Sequence, residues 1–136
     1  METKENYTFE ELKEIIARLR AEDGCPWDRA QTHESLKPCL TDEADEVLQA
    51  IDRGDMDNLC EELGDVLLQV MLHSRIAEEE GAFTVDDVIS YLCRKMIRRH
   101  PHVFGGESYG TAEESKARWD EIKRMEKEAK KKGIKL

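Results

Sequence analysis

The sequence predicts an all-α protein: one domain over residues 1–136, with about five helices and with residues 110–136 as a closing helix and basic tail. Apolar residues make up 39% of the chain, which is enough for one modest core. Aromatic residues make up only 6% and charged residues 38%. This balance is typical of amphipathic helices rather than of aromatic-rich sandwiches or barrels, and Leu, Ile and Val recur at helical spacing.

The first two predicted helices are delimited by capping residues, a proline and a glycine. Thr8 and Glu11 form a capping-box pattern, which starts a helix that runs to about Glu22. A loop follows this helix. Pro38 then starts the main body of the second helix, because proline is tolerated in the first turn of a helix. The second helix ends at Gly54.

The other three predicted helices also begin at capping residues. Asp55 caps the third helix, which Gly81 closes. Thr84 opens the fourth helix, which must end before Pro101 because the residue preceding a proline disfavours helical geometry. Thr111 caps the fifth helix, whose lysine-rich end suits a helix C-terminus.

The net charge is −10, from 31 acidic and 21 basic residues. We therefore expect no nucleic-acid partner, because such a chain repels a phosphate backbone. No segment approaches the ~20 apolar residues of a membrane span, and the first residues lack the layout of a signal peptide. We expect a cytoplasmic protein without a membrane partner. The four cysteines form no C-x-x-C pair, which argues against a zinc protein.

The second and third predicted helices carry acids at matching positions. Glu43 and Glu46 lie roughly 75° and 135° from the apolar stripe of their helix, and Glu62 and Asp65 lie at nearly the same offsets on theirs. The short connection at residues 53–55 makes the two helices antiparallel, so equal offsets fall on the same side of the pair. The distances along the chain from the turn also match. The four carboxylates should therefore converge roughly 12 to 16 Å from the turn.

Four adjacent carboxylates need a counter-charge, and neither helix has a Lys or Arg placed to supply it. A divalent cation is the natural partner, and oxygen ligands favour Mg²⁺, with Mn²⁺ as the next candidate. The alternative is a chance cluster on a solvated helix face. For the neighbouring acids Asp45 and Glu61 we favour that solvated interpretation, whereas Asp42 is a candidate neighbour of the metal ligands.

Metal sites of this kind commonly act on phosphates, which predicts cations nearby. Lys95 and Arg99 share one face of the fourth helix, and Trp119 and Lys123 share one face of the fifth. Both pairs would be explained if the cations bound phosphates and the aromatic ring contacted a nucleotide base. The alternative is a solvated basic face, a core tryptophan and a surface lysine. For His73 a core position is favoured over a ligand role.

Several motifs resemble the MazG-like nucleoside triphosphate pyrophosphohydrolases, within the all-α NTP pyrophosphatase superfamily. The E-E-x-x-E and E-x-x-D patterns of that family correspond to residues 42–46 and 62–65, with Asp42 where the family pattern has Glu. Similar segments occur at residues 24–28 (GCPWD), 98–104 (RRHPHVF) and 117–123 (ARWDEIK). The resemblance covers most of the chain.

The resemblance implies Mg²⁺-dependent hydrolysis of a nucleoside triphosphate to the monophosphate and pyrophosphate. Two biological roles stay open, house-cleaning of non-canonical nucleotides and regulation of a signalling pool. The resemblance also implies a homodimer that completes a four-helix bundle. An oxygen of Glu43 or Glu46 is the expected general base. The implied Mg²⁺ ligands are Glu43, Glu46, Glu62 and Asp65. The implied nucleotide contacts are Lys95, Arg99, Trp119 and Lys123, with the chain around Asp42 and Glu61 lining the pocket.

Two alternatives to this function remain open. One is a dUTP or phosphoribosyl-ATP pyrophosphohydrolase of the same superfold, although the GCPWD segment favours the MazG-like branch. The other is a helical interaction module without catalytic activity, whose acidic edge binds a basic partner.

Overall fold

The structure, a computed structural model, describes residues 2–108 and 110–136. The described residues form helices and no strands, and the all-α prediction is confirmed. The helices are α1 (Phe9–Leu19), α2 (Pro26–Ala30), α3 (Lys37–Arg53), α4 (Met56–Glu79), α5 (Val85–Arg99), α6 (Pro101–Phe104) and α7 (Ala112–Lys131). No helix within these described ranges combines the length and apolar character needed to span a lipid bilayer.

The five expected helices are α1, α3, α4, α5 and α7, and the short helices α2 and α6 lie where loops were expected. Both short helices begin at a proline, Pro26 or Pro101. Proline suits the first helical position, because its φ is already helical and its missing N–H would have no partner there. A proline in each of these segments therefore starts a helical turn.

The first helix ends at Leu19, not near Glu22 as expected, because the chain folds back tightly after it. The amide of Cys25 donates to the carbonyl of Leu19 over 2.8 Å. A Cβ atom on Gly24 would lie only 2.3 Å from that carbonyl oxygen, so only glycine fits this turn.

A two-residue connection joins α3 to α4 and makes them an antiparallel hairpin. Gly54 adopts φ +65° at the end of α3, in the left-handed region that favours glycine. The side chain of Asp55 then accepts a hydrogen bond from the amide of Asn58 at 3.1 Å and so caps α4. The hairpin register is set by these two adjacent residues.

Contacts along the chain define two compact units, residues 1–85 and 86–136. The first unit contains α1 to α4 and a buried apolar core. The core is formed by side chains from α1, the segment before α3, α4 and the first residue of α5. The core residues are Ile16, Leu36, Met71, Leu72, Ile76 and Val85. The second unit contains α6, α7 and nearly all of α5, and its buried residues on α7 are Ile122 and Glu126. The assignment of the whole chain to one domain stays a prediction.

We expect Leu72→Ala to destabilise the first unit strongly, because Leu72 is only 2% exposed within the core. Loss of a buried leucine side chain costs about 2–5 kcal/mol through lost burial and the cavity that remains. Urea denaturation measures this cost. The control is Ile134→Ala in the exposed C-terminal tail, which should change the free energy of unfolding by less than about 0.5 kcal/mol. Equal effects of the two substitutions would contradict the core assignment.

The apolar stripes of α3 and α4 are only partly covered by contacts within the chain. Several of the leucine, isoleucine and valine side chains on these stripes are more than a third exposed. They are Leu40, Leu48, Ile51, Leu63, Leu67 and Val70. An apolar surface thus runs along both helices of the hairpin.

Candidate functional site

Four carboxylates converge on one edge of the α3–α4 hairpin. Glu43 and Glu46 lie three residues apart on α3, and Glu62 and Asp65 lie three residues apart on α4. One oxygen atom from each side chain lies within 4.8 Å of the others. Glu62 is buried, Glu43 and Asp65 are half-buried, and Glu46 is exposed. The convergence expected from helical spacing is therefore present, with one side open to solvent at Glu46.

Mutual repulsion raises the affinity of this cluster for protons. A hydrogen bond shared with Glu46 and burial raise the pKa of Glu62 to about 7. The charges of Glu46, Asp65 and Glu61 add to this shift. Burial and the charges of Asp65 and Glu46 also raise the pKa of Glu43. Ionisation of these carboxylates therefore costs free energy in the folded hairpin, and a bound cation would offset that cost.

The donor set fits a hard divalent cation. Oε2 of Glu43 and Oε2 of Glu62 are buried and have no hydrogen-bond partner among the described residues. Buried carboxylate oxygens without partners are rare, since their desolvation is uncompensated. All four candidate ligand atoms are carboxylate oxygens, which suit Mg²⁺ and Mn²⁺ better than Zn²⁺.

The structure links the cluster to the side chains of Arg53 and Asn58. The sequence prediction included Asn58 only as backbone lining the pocket and gave Arg53 no part in the site. In the amide orientation that satisfies both neighbours, Asn58 donates to Oε1 of Glu62 at 3.2 Å and accepts from Arg53 at 2.8 Å. Of these two contacts, the one between Asn58 and Glu62 has a sequence signal, because the two residues are spaced i, i+4 on one helix. The expectation that no Lys or Arg serves these helices is therefore incomplete, because Arg53 reaches Glu62 through Asn58.

In the second unit, Trp119 is surrounded by cations. The Nζ atoms of Lys123 and Lys116 lie 4.5 and 4.9 Å from the ring centroid, and the Arg99 guanidinium lies 5.6 Å from it. Three of the four predicted nucleotide contacts on α5 and α7 are thus brought together. The fourth, Lys95, lies instead 5.0 Å from the ring centroid of Tyr91. Sequence spacing missed Lys116, although it is three residues before Trp119.

The remaining two predicted contacts, Asp42 and Glu61, are exposed and stand next in sequence to cluster residues. The predicted core residue His73 contacts another histidine. Its Nδ1 atom lies 2.8 Å from Nδ1 of His33, so one ring donates to the other. Burial, and secondarily His33, lower the pKa of His73. The hydrogen bond occupies Nδ1 of His73 and joins α4 to the segment before α3.

A buried carboxylate, that of Glu126, holds two arginine side chains of the second unit in place. Glu126, which is 6% exposed, accepts from Nη2 of Arg99 at 2.8 Å and from Nε of Arg98 at 2.5 Å. Burial by itself would raise the pKa of Glu126, but the hydrogen bonds from Arg99 and Arg98 outweigh it and lower the pKa. Arg99 therefore meets Trp119 with part of its guanidinium already anchored.

We expect Glu126→Gln to lower the free energy of unfolding by about 1–3 kcal/mol at pH 7, since it leaves charged donors poorly paired. Because the folded-state pKa of Glu126 is lowered, its contribution is present above the ordinary glutamate pKa and is lost as the pH falls through the folded value. The difference from the parent should therefore shrink as the pH falls below 4.5, the ordinary glutamate value. Urea denaturation between pH 3 and 7.5 measures it.

The control for this experiment is Glu121→Gln on the same helix. Glu121 makes an exposed ion pair with Arg118 at 3.3 Å, and such pairs contribute about 0–1 kcal/mol. A Glu126→Gln variant that tracks this control at every pH would contradict the anchoring role.

Comparisons with known proteins identify the family of this chain. Residues 31–104 match the family model of the MazG nucleotide pyrophosphohydrolase domain, and this range includes all four carboxylates. The chain is 55% identical over 126 residues to the nucleoside triphosphate pyrophosphohydrolase/pyrophosphatase MazG of Thermotoga maritima. It is 44% identical over 123 residues to the nucleoside triphosphate pyrophosphohydrolase of Escherichia coli K12. Each alignment covers 90% of this chain and 47% of the relative.

A solved structure has the same fold. The crystal structure of a mazG-related protein from Thermotoga maritima superposes with a TM-score of 0.71 at 32% identity, covering 85% of this chain and 98% of that one. The chain spans a quarter to about half the length of the curated relatives it matches. Because the family model covers more than half of the residues and includes the carboxylate cluster, this chain belongs to the MazG nucleotide pyrophosphohydrolase domain family.

Proposed function

We propose that the protein hydrolyses nucleoside triphosphates between the α and β phosphates, in a reaction that depends on Mg²⁺. The observation that carries this proposal is the convergence of Glu43, Glu46, Glu62 and Asp65 within 4.8 Å. The names of the relatives, nucleoside triphosphate pyrophosphohydrolases, support the same activity. Mn²⁺ is the expected substitute metal. The products are the nucleoside monophosphate and pyrophosphate.

The four carboxylates would hold the metal, which when bound neutralises triphosphate charge and acidifies water. The chain itself supplies the proton acceptor. An oxygen of Glu46 or Glu43 that does not bind metal accepts a proton from the attacking water. The water oxygen bonds to phosphorus as the bridging P–O bond between the α and β phosphates breaks, which separates the monophosphate from pyrophosphate. Glu46 suits this step because its exposed side chain meets solvent, while the buried Glu62 stays a fixed ligand.

Nucleotide binding would use the aromatic ring and cations of the second unit. Trp119 offers a half-buried ring on which a base can stack, and Lys123 offers a nearby charge for phosphates. Arg99 would contribute the guanidinium donors that Glu126 leaves unused. Lys95 would contribute a further charge from its place beside Tyr91. The chain around Asp42 and Glu61 would line the pocket beside the metal ligands.

A second copy of the chain would cover the exposed apolar surface of α3 and α4. Leu48, Ile51 and Leu63 are each more than half exposed, and a contiguous apolar surface of this kind is typical of an interface. Two such hairpins would form a four-helix bundle, so we expect a homodimer. Analytical ultracentrifugation tests this expectation. A Leu48→Lys, Leu63→Lys double variant should sediment as a monomer, and a parent that is monomeric at high concentration would contradict it.

The decisive experiment is a panel of canonical and modified nucleoside triphosphates, assayed with Mg²⁺ for pyrophosphate and for orthophosphate. Pyrophosphate release supports the proposal, and orthophosphate release alone contradicts it. Preference for modified bases would indicate house-cleaning of non-canonical nucleotides. Preference for dUTP or phosphoribosyl-ATP would indicate that this chain shares the substrate of another branch of the superfold. Calorimetry that detects no metal-dependent binding of a non-hydrolysable triphosphate would favour a non-catalytic interaction module.

A further inference from the structure

Asn58 lies between the guanidinium of Arg53 and the carboxylate of Glu62, the most buried of the four acids. Its amide nitrogen donates to Oε1 of Glu62 at 3.2 Å, and its amide oxygen accepts from Nη2 of Arg53 at 2.8 Å, in the orientation that satisfies both. Reversing the amide would set its oxygen against a carboxylate oxygen and its nitrogen against a guanidinium. The two neighbours therefore select a single amide orientation.

The turn between α3 and α4 holds this arrangement in place. Arg53 is the last residue of α3, and Asn58 lies in the first turn of α4, where its backbone amide donates to the side chain of Asp55 at 3.1 Å. Asn58 and Glu62 are one helical turn apart, so their side chains share a face. The contact between Arg53 and Asn58 spans the hairpin connection, which Gly54 makes tight.

The amide contact divides the two oxygens of Glu62 between two tasks. Oε1 accepts from Asn58, whereas Oε2 is buried and, with the neighbouring carboxylates ionised, has no hydrogen-bond donor among the described residues. A buried side chain tied at one oxygen has few rotamers left, so the other oxygen keeps a defined direction. The Arg53 charge polarises the amide and strengthens its donation to Glu62.

We propose that Asn58 is a positioning residue, which Arg53 orients and which fixes the Glu62 carboxylate so that Oε2 is presented to a divalent cation. This inference rests on the proposed function, because it assigns the four carboxylates to a metal. Hydrogen-bond partners of metal ligands typically contribute 10–100-fold to metal affinity.

The test is Asn58→Leu, which keeps the side-chain size but removes the donor. We expect Mn²⁺ alone, titrated in the calorimeter without nucleotide, to bind roughly 10-fold or more weakly than to the parent. The melting temperature in EDTA should stay close to that of the parent, because Asn58 is only half-buried. A purely structural role would instead lower that temperature and leave the Mn²⁺ affinity unchanged.

A double-mutant cycle tests the role of Arg53. Arg53→Met should weaken Mn²⁺ binding in the parent but have no further effect in the Asn58→Leu background, because its influence passes through the amide. Met56→Ala, an exposed change in the same helical turn, is the matched control and should leave the Mn²⁺ affinity unchanged.

Each outcome of these titrations decides the inference. Parental Mn²⁺ affinity in Asn58→Leu, additive effects of the two substitutions, or an equal effect of Met56→Ala would overturn it. A parent that binds no Mn²⁺ would overturn both the inference and the metal site. A parent that binds Mn²⁺ but releases no pyrophosphate from any triphosphate would overturn the proposed function only, since the titrations use metal alone.

Discussion

Glu46→Gln should abolish turnover while the fold survives. The substitution removes a candidate metal ligand and proton acceptor, and loss of a general base typically costs 10²–10⁴-fold in rate. Because Glu46 is exposed, a glutamine there should change the free energy of unfolding little. The substitution also removes one of the four like charges of the cluster. Pyrophosphate release from a nucleoside triphosphate with saturating Mg²⁺ measures the rate, and circular dichroism with a thermal melt verifies the fold.

The matched control is Asp45→Asn, the neighbouring exposed acid on the same helix. It removes the same charge but lies outside the cluster, so we expect near-parental turnover. If Glu46→Gln retains the parental rate, Glu46 is neither the base nor an essential ligand. If the variant is unfolded, the carboxylate has a structural role that the proposed chemistry does not include.

Glu62→Gln should raise the stability of the metal-free protein and abolish the stabilisation by Mg²⁺. Because the pKa of Glu62 in the folded state is about 7, above its ordinary value of 4.5, the folded chain binds this proton more tightly than the unfolded chain does. Without metal, parental stability should therefore fall as the pH rises from about 4.5 through 7. Glutamine carries no such proton, so at pH 8 in EDTA the variant should melt at a higher temperature than the parent.

Adding Mg²⁺ should reverse this order. A ligand that binds only the folded state stabilises it by about 2.7 kcal/mol at 100 times Kd, and the parent should show a gain of this kind. The Glu62→Gln variant loses a ligand and should gain much less. Glu14→Gln, an exposed change on α1 that also removes one charge, should follow the parent in both buffers. A parent whose melting temperature does not respond to Mg²⁺ would contradict the metal site.

The distribution of helices and the meeting of the carboxylates were predictable because both depend on local features. Capping residues mark helix starts, apolar periodicity marks the buried face, and a two-residue turn at Gly54 forces an antiparallel pair. Glu43 and Asp65 are equally distant from that turn, so helical geometry alone brings them to one level. The prolines at 26 and 101 misled the prediction, because each starts a short helix where a loop was expected.

The sequence by itself thus determined the all-α architecture and the acidic edge of one hairpin, since periodicity and chain length constrain both. Only the tertiary structure decided how these groups are held. It joined Arg99 to the buried Glu126, 27 residues away, and it placed Asn58 between Arg53 and Glu62. Such contacts depend on side-chain rotamers and on packing between elements, which no local pattern encodes. That packing fixes the orientation of the Glu62 carboxylate within the acidic cluster.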